Sequence, residues 1–168
     1  MNRHKFLRLK SPLFPMILWW IMGLFLGFLL PFGLDNSLFS WMRLTFLHQV
    51  SIVWLALTAL VPFFISAFAA TIDQYFIVSI LLFLRGALLG FSHGALLVSF
   101  QSGAWLVGFL SLLPDQLCCL TLLMYALRWR RCGCVYLGDL VLGCGLLLLT
   151  FGLEMWILSP LRMAILNV

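Results

Sequence analysis

RGALLGFSHG, residues 85–94, places one arginine and three glycines inside a long apolar stretch of the chain. The glycines recur at every fourth residue, so on a helix they lie on one face and let a neighbouring helix backbone approach closely. They are Gly86, Gly90 and Gly94, and an earlier pair with the same spacing is Gly23 and Gly27. We predict that these glycine faces pack helices within one chain, with contacts to a second copy of the chain or to another protein as the alternative.

The composition of the chain is that of a membrane protein. Hydrophobic residues make up 64% and charged residues 9%, whereas soluble domains carry about 25% charged residues. The mean hydropathy is +1.15. A length of 168 residues leaves room for about five helices of roughly 20 apolar residues each. We therefore predict an all-α membrane protein in which residues 1–168 form a single multipass domain, with no separate soluble domain.

Short polar segments separate the predicted spans. TIDQ, residues 71–74, and the segment from Gln101 to Gly103 mark two turns, and Pro62 is predicted to kink the second span. The five predicted spans are about 13–34, 47–70, 75–100, 104–127 and 135–158.

Lys and Arg side chains predict the orientation of the bundle, because positive residues accumulate on the cytoplasmic side of a membrane. With the N-terminus inside, seven of the ten face the cytoplasm, and only Arg43 and Arg162 face out. The seven are Arg3, Lys5, Arg8, Lys10, Arg128, Arg130 and Arg131. We predict a cytoplasmic N-terminus and an external C-terminus. The net charge of +5 then indicates attraction to anionic membrane lipids and not to nucleic acid.

Arg85 and Asp115 lie inside two consecutive spans that should form an antiparallel hairpin. Arg85 comes about 16 residues before the turn and Asp115 about 14 residues after it, so their depths differ by only about 3 Å. A lone charge at that depth costs at least about 2.5 kcal/mol, so charged residues there usually pair or line a wet cavity. We predict that Arg85 and Asp115 form a pair near the middle of the membrane.

Pro114 and Gln116 flank Asp115 and extend this intramembrane polar cluster. Proline lacks an N–H and displaces the carbonyl four residues earlier, here Leu110, so we predict a kink in the fourth helix. Gln116 is a candidate donor to that carbonyl. Two interpretations of the cluster stay open: an ion pair that fixes how helices dock, or a polar cavity that binds a substrate, an ion or a partner helix.

Three further polar residues are candidates for a pathway or for simple polar contacts. We predict that His93 is a polar packing residue. Asp139 and Glu154 would either line a path through the bundle or lie near the lipid headgroups. A proton relay through Asp139, Asp115 and Glu154 is a further alternative.

No residue pattern for catalysis or metal binding stands out. Neighbours on a helix point about 100° apart, so Ser92 and His93 do not form a nucleophile and base pair. Cys132 and Cys134 supply two ligands where a structural zinc site needs four. We predict a protein that is not an enzyme and that uses neither a cofactor nor a metal.

The stretch LLFLRGALLGFSHGALLVSFQSGAWLVGFLSLLPDQL, residues 81–117, resembles the core of the stage II sporulation protein M family. In that family a basic residue and glycine precede a Gly-Phe pair, and a later helix carries a Leu-Pro-polar-polar element. The matching residues here are Arg85 and Gly86, Gly90 and Phe91, and Leu113, Pro114, Asp115 and Gln116.

This resemblance implies a multipass protein of the bacterial cytoplasmic membrane, at the septal or engulfing membrane of an endospore-forming cell. It implies a non-catalytic scaffold that assembles or localises a peptidoglycan-remodelling complex during engulfment. The implied partners are membrane-anchored cell-wall hydrolases, namely a lytic transglycosylase (sporulation protein D) and an amidase/endopeptidase (sporulation protein P). The alternative function, from the polar cluster beside a helix break, is a small transporter or lipid-handling protein with a polar cavity at the midplane.

Overall fold

A computed structural model describes residues 13–34, 52–100, 112–158 and 160 of the chain. The described residues form five α-helices and no strand, which confirms the predicted all-helical class. The helices are α1 Leu13–Leu29, α2 Ile52–Thr71, α3 Tyr75–Phe100, α4 Leu113–Cys132 and α5 Leu137–Leu153. A 3₁₀ turn, Leu30–Gly33, follows α1, and a π-helical turn, Glu154–Leu158, follows α5.

Three stretches are long and apolar enough to cross a membrane: Phe14–Gly33, Tyr75–Val98 and Leu137–Ile157. They coincide with the predicted first, third and fifth spans, and the chain is accordingly a membrane protein. The apolar part of α2, Leu57–Thr71, is shorter, and α4 does not qualify by composition. The count of five spans stays a prediction.

The fourth helix is the centre of the bundle. α4 packs against each of the other four helices. Its side chains at Cys119, Ala126 and Trp129 are fully buried within the protein. The other helices cover much of α4, although Leu120 and Met124 are exposed, and this limits the contact of its polar residues with lipid.

Two helices, α2 and α4, are followed by a residue with left-handed backbone conformation. After α2, Asp73 has φ 59°, and the Gln74 N–H donates to the Ala69 carbonyl over 2.8 Å. This is a Schellman motif, in which aspartate is one of the few residues besides glycine that tolerates positive φ. After α4, Gly133 has φ 70° and its N–H donates to the Trp129 carbonyl over 2.7 Å. The predicted TIDQ turn is therefore present, and α2 and α3 form a tight antiparallel pair.

The two glycine faces pack directly against each other, so α1 and α3 touch backbone to backbone. A Cβ atom added at Gly86 would lie 2.6 Å from the Trp20 carbonyl oxygen, and one at Gly94 would lie 2.5 Å from that of Phe28. The other contacts pair Gly23 with Phe83, Gly27 with Ala87, and Gly90 with Leu24. Residue numbers rise together along both helices, so α1 and α3 run parallel. The predicted packing within one chain is therefore what the structure contains.

The remaining helices alternate in direction. Arg130 near the end of α4 stacks 5.2 Å from the ring centroid of Tyr75 at the start of α3. Arg128 of α4 likewise pairs with Asp139 at the start of α5. The starts of α1, α3 and α5 therefore share one end of the bundle with Arg128, Arg130 and Arg131; we call this the basic end.

Some predictions concern parts of the chain that lie outside the described residues. These are the basic tail before residue 13, Arg43, the turn from Gln101 to Gly103, the beginnings of the spans predicted at 47–70 and 104–127, and Arg162.

Replacing Gly90 with alanine is expected to destabilise the bundle by about 1–3 kcal/mol, because the new Cβ would overlap the Leu24 carbonyl. Gly145→Ala is the matched control, since a Cβ at Gly145 meets no atom within 4 Å. The measurement is the fraction of monodisperse protein that survives heating in mild detergent. Equal survival of the two variants would contradict close α1 and α3 packing.

Candidate functional site

A proline in α2 leaves a backbone carbonyl without its helical partner. Pro62 lies inside α2 and has no N–H, so the carbonyl of Thr58, four residues earlier, does not receive the usual hydrogen bond. The Arg85 guanidinium of α3 donates through Nη1 to this Thr58 oxygen. A side chain of one helix thus satisfies the backbone of another. From the sequence we predict only a kink at Pro62 and not the contact of Thr58 with Arg85. A proline in one span and an arginine in the next span are the sequence features that indicate such a contact.

The same guanidinium contacts the carboxylate of α4. Arg85 Nη2 lies 3.4 Å from Asp115 Oδ1, so the predicted pair is present. Hydrogen bonds between such ions are usually about 2.7–2.9 Å, and this contact is therefore loose. The Arg85 side chain is 14% exposed and the Asp115 side chain 51% exposed. Arg85 lies behind the carboxylate, and Asp115 is the charge that faces outward.

A second polar contact joins α3 and α4 near the ion pair. It links His93, about two turns after Arg85 on α3, with Gln116, the residue after Asp115 on α4. His93 Nδ1 lies 2.8 Å from the Leu89 carbonyl oxygen, which only accepts, so Nδ1 carries the proton. His93 Nε2 then accepts from Gln116 Nε2 over 3.0 Å. Gln116, predicted to donate to the Leu110 carbonyl, bonds to His93, while Leu110 lies outside the described residues. His93 belongs to the polar cluster through this contact.

Pro114 lies in the first turn of α4, which begins at Leu113 in the described part of the chain. A first-turn proline loses no helical hydrogen bond, because the N–H at that position has no partner within the helix. The predicted kink of the fourth helix depends on residues 104–111, which are not described, and it stays a prediction.

A groove of about 650 Å³ lies over the ion pair, between α2 and α3. Its walls are formed by apolar side chains that are exposed on the outside of the bundle: Leu57, Val61, Leu84 and Leu88. Arg85, Asp115 and Cys119 form its floor. Sites for small molecules commonly have such volumes, apolar walls and few polar groups. Because its walls belong to the outer surface, the groove formed by the described residues opens sideways, toward the lipid.

Asp139 lies apart from this cluster. Arg128 holds Asp139 in a two-pronged contact, with Nε 3.1 Å from Oδ2 and Nη2 3.0 Å from Oδ1. The Asp139 side chain is 6% exposed, so this pair has a structural role at the basic end. Along α4, Arg128 is about 20 Å from the level of Asp115, which leaves the suggested proton relay without a connection there. Glu154 lies in the π-helical turn after α5.

Catalytic and metal-binding geometries are not found among the described residues. Ser92 Oγ donates to the Leu88 carbonyl over 3.0 Å, and His93 bonds to Leu89 and Gln116, so the two side chains do not form a nucleophile and base pair. Within the described ranges no three His, Cys, Asp or Glu side chains are grouped to hold a metal ion.

Comparison of the chain with protein-family models, with curated proteins and with solved structures finds no match in any of the three. The resemblance to the stage II sporulation protein M family therefore rests on sequence motifs, chiefly those in residues 81–117.

Exchanging the charges of Arg85 and Asp115 tests the ion pair. Arg85→Asp places two carboxylates together and Asp115→Arg two guanidinium groups, so each change should lower the folded fraction by about tenfold. The double exchange restores opposite charges and should recover most of that loss. It should not recover all of it, because an aspartate at position 85 does not donate to the Thr58 carbonyl. Yields of monodisperse protein measure the effect, and a double exchange no better than the singles would contradict the pairing.

Proposed function

We propose that the chain is a non-catalytic membrane protein that binds an amphiphilic molecule of the bilayer in the groove between α2 and α3. This makes it a small transporter or a lipid-handling protein. The observation that carries the proposal is the position of a half-exposed ion pair, Arg85 and Asp115, on the floor of an otherwise apolar groove.

The depth of the pair supports this function over a purely structural one. Arg85 lies near the middle of the apolar span Tyr75–Val98. Charged groups at that depth are costly, and they occur where they pair, bind a ligand or line a pathway. A clasp between helices would be expected to bury both partners, whereas Asp115 keeps half of its side chain accessible from the groove.

The proposed orientation has the N-terminus in the cytoplasm and the C-terminus outside, in the cytoplasmic membrane of a bacterium. It is supported by the three arginines at the basic end, where α1 also begins. Cys132 is exposed at that end, and Cys118 and Cys119 are buried in the bundle. An impermeant maleimide should therefore label Cys132 in broken cells and not in intact cells. Labelling of Cys132 in intact cells would contradict the proposed orientation and indicate the opposite one.

A second candidate function is the scaffold implied by the resemblance of residues 81–117. At the basic end the connections between helices are short, so a partner there must bind largely within the bilayer. The glycine faces are occupied by each other, and a partner helix or a second copy of the chain would need another surface. We propose hydrolases of the sporulation protein D and P types as its partners, at a septal or engulfing membrane. Quantitative pull-down from a sporulating host tests this, and failure to recover either hydrolase would reject it.

The groove is tested by filling it. Leu88 is 69% exposed on its wall, so Leu88→Trp should block the groove without disturbing the core. We expect binding of a fluorescent dodecyl probe to weaken by at least about tenfold, since a site of this kind holds most of the ligand surface.

Leu149→Trp is the matched control, because Leu149 is equally a lipid-facing leucine, on α5 and away from the groove. Probe affinity is measured by fluorescence titration of protein in nanodiscs. Unchanged binding to the Leu88→Trp variant would contradict the proposed function.

A further inference from the structure

We infer that the groove selects amphiphiles whose head is a cationic hydrogen-bond donor, such as a long-chain amine, over those whose head is a carboxylate or a phosphate. This inference rests on the proposed function and names the ligand class of the same site.

The arginine on the floor is already engaged. Arg85 directs Nη1 to the Thr58 carbonyl oxygen and Nη2 to Asp115, and its side chain is only 14% exposed. An acidic head that approached Arg85 would have to displace these partners. Losing these two contacts would offset what the acidic head gains from the guanidinium. The groove is therefore poorly suited to bind an anion.

The carboxylate on the floor has acceptor capacity to spare. Asp115 is 51% exposed, and Arg85 contacts it loosely through one oxygen, Oδ1. An ionised carboxylate accepts about four hydrogen bonds, so Oδ2 and part of Oδ1 remain available to a donor in the groove. Asp115 is the acidic group among the described lining residues, and Arg85 is the basic one. The accessible surface of the pair is thus negative.

The serine in the lining of the groove is not a free donor for an anion. Ser92 lines the groove, but its hydroxyl donates to the Leu88 carbonyl of its own helix. The walls are mainly leucine side chains, which suit an alkyl chain. The alkyl chain of a long-chain amine would pack against the apolar walls, and its ammonium head would donate to Asp115 on the floor.

The test compares two amphiphiles that have the same alkyl chain length and differ in the charge of the head group. Dodecylamine and dodecanoate, both ionised near pH 7, compete against the fluorescent dodecyl probe on the wild-type protein in nanodiscs of zwitterionic lipid. A charge-assisted hydrogen bond predicts that dodecylamine binds at least about tenfold more tightly than dodecanoate. Equal affinities, or tighter binding of dodecanoate, would overturn the inference without any variant being needed.

Asp115→Asn should reduce the preference to about twofold, because the amide still accepts from Arg85 but carries no charge. Asp73→Asn is the matched control, since Asp73 lies in the turn after α2 and does not line the groove. A preference that persists in Asp115→Asn would overturn the role of Asp115.

The two proposals fail differently. If Leu88→Trp blocks both amphiphiles and the wild-type protein does not distinguish them, the groove binds amphiphiles and the head preference is wrong. If Leu88→Trp changes nothing, or if a second copy of the chain fills the groove in crosslinking and neither amphiphile competes, both proposals are wrong.

Discussion

One hydrogen bond between two helices, from Arg85 to the Thr58 carbonyl, organises this bundle. In a bilayer a backbone oxygen without a donor costs several kcal/mol, and water is not present to supply one. Pro62 creates such an oxygen at Thr58, and Arg85 of the next helix satisfies it. The contact fixes the register of α3 against α2. The same guanidinium then reaches Asp115 and brings in α4.

α3 uses two faces for two kinds of packing. One face carries the glycines and touches the backbone of α1, where attraction comes from close van der Waals contact. The other face carries Arg85 and holds α2 and α4 by polar contacts. The groove lies on this second face, because the leucines and the valine of its walls are exposed on the outer surface while Arg85 and Cys119 lie deeper in the bundle. The packing that stabilises α3 therefore also exposes a charged pair to the groove.

Much of the helical layout is predictable from the sequence because polar breaks and apolar runs mark it. The helix bounds of α3 agree with the predicted span of 75–100, and α5 with its π-helical turn ends at Leu158 as predicted. The equal depths of Arg85 and Asp115 follow from rise per residue and the position of a turn. The buried position of α4 was not predictable from apolar runs, since its polar residues are tolerated only because other helices surround it.

The contacts that depend on helix rotation and register were also not predictable from the sequence. Thr58 meets Arg85, and Gln116 meets His93, only once the angles between three helices are fixed. Asp139 finds Arg128 across a turn whose shape depends on the left-handed Gly133. The groove is lined by residues of α2, α3 and α4, so its volume depends on how these helices are placed, which no linear pattern encodes.

The most direct test of this account is a double-mutant cycle between Pro62 and Arg85. Arg85→Ala leaves the Thr58 carbonyl without the guanidinium, whereas Pro62→Ala gives α2 an N–H that can satisfy it. We expect Pro62→Ala to change the wild-type free energy of unfolding little and to recover at least about 1 kcal/mol in the Arg85→Ala protein. Strictly additive effects would mean that Arg85 does not replace the hydrogen bond that Pro62 removes, and they would contradict the account.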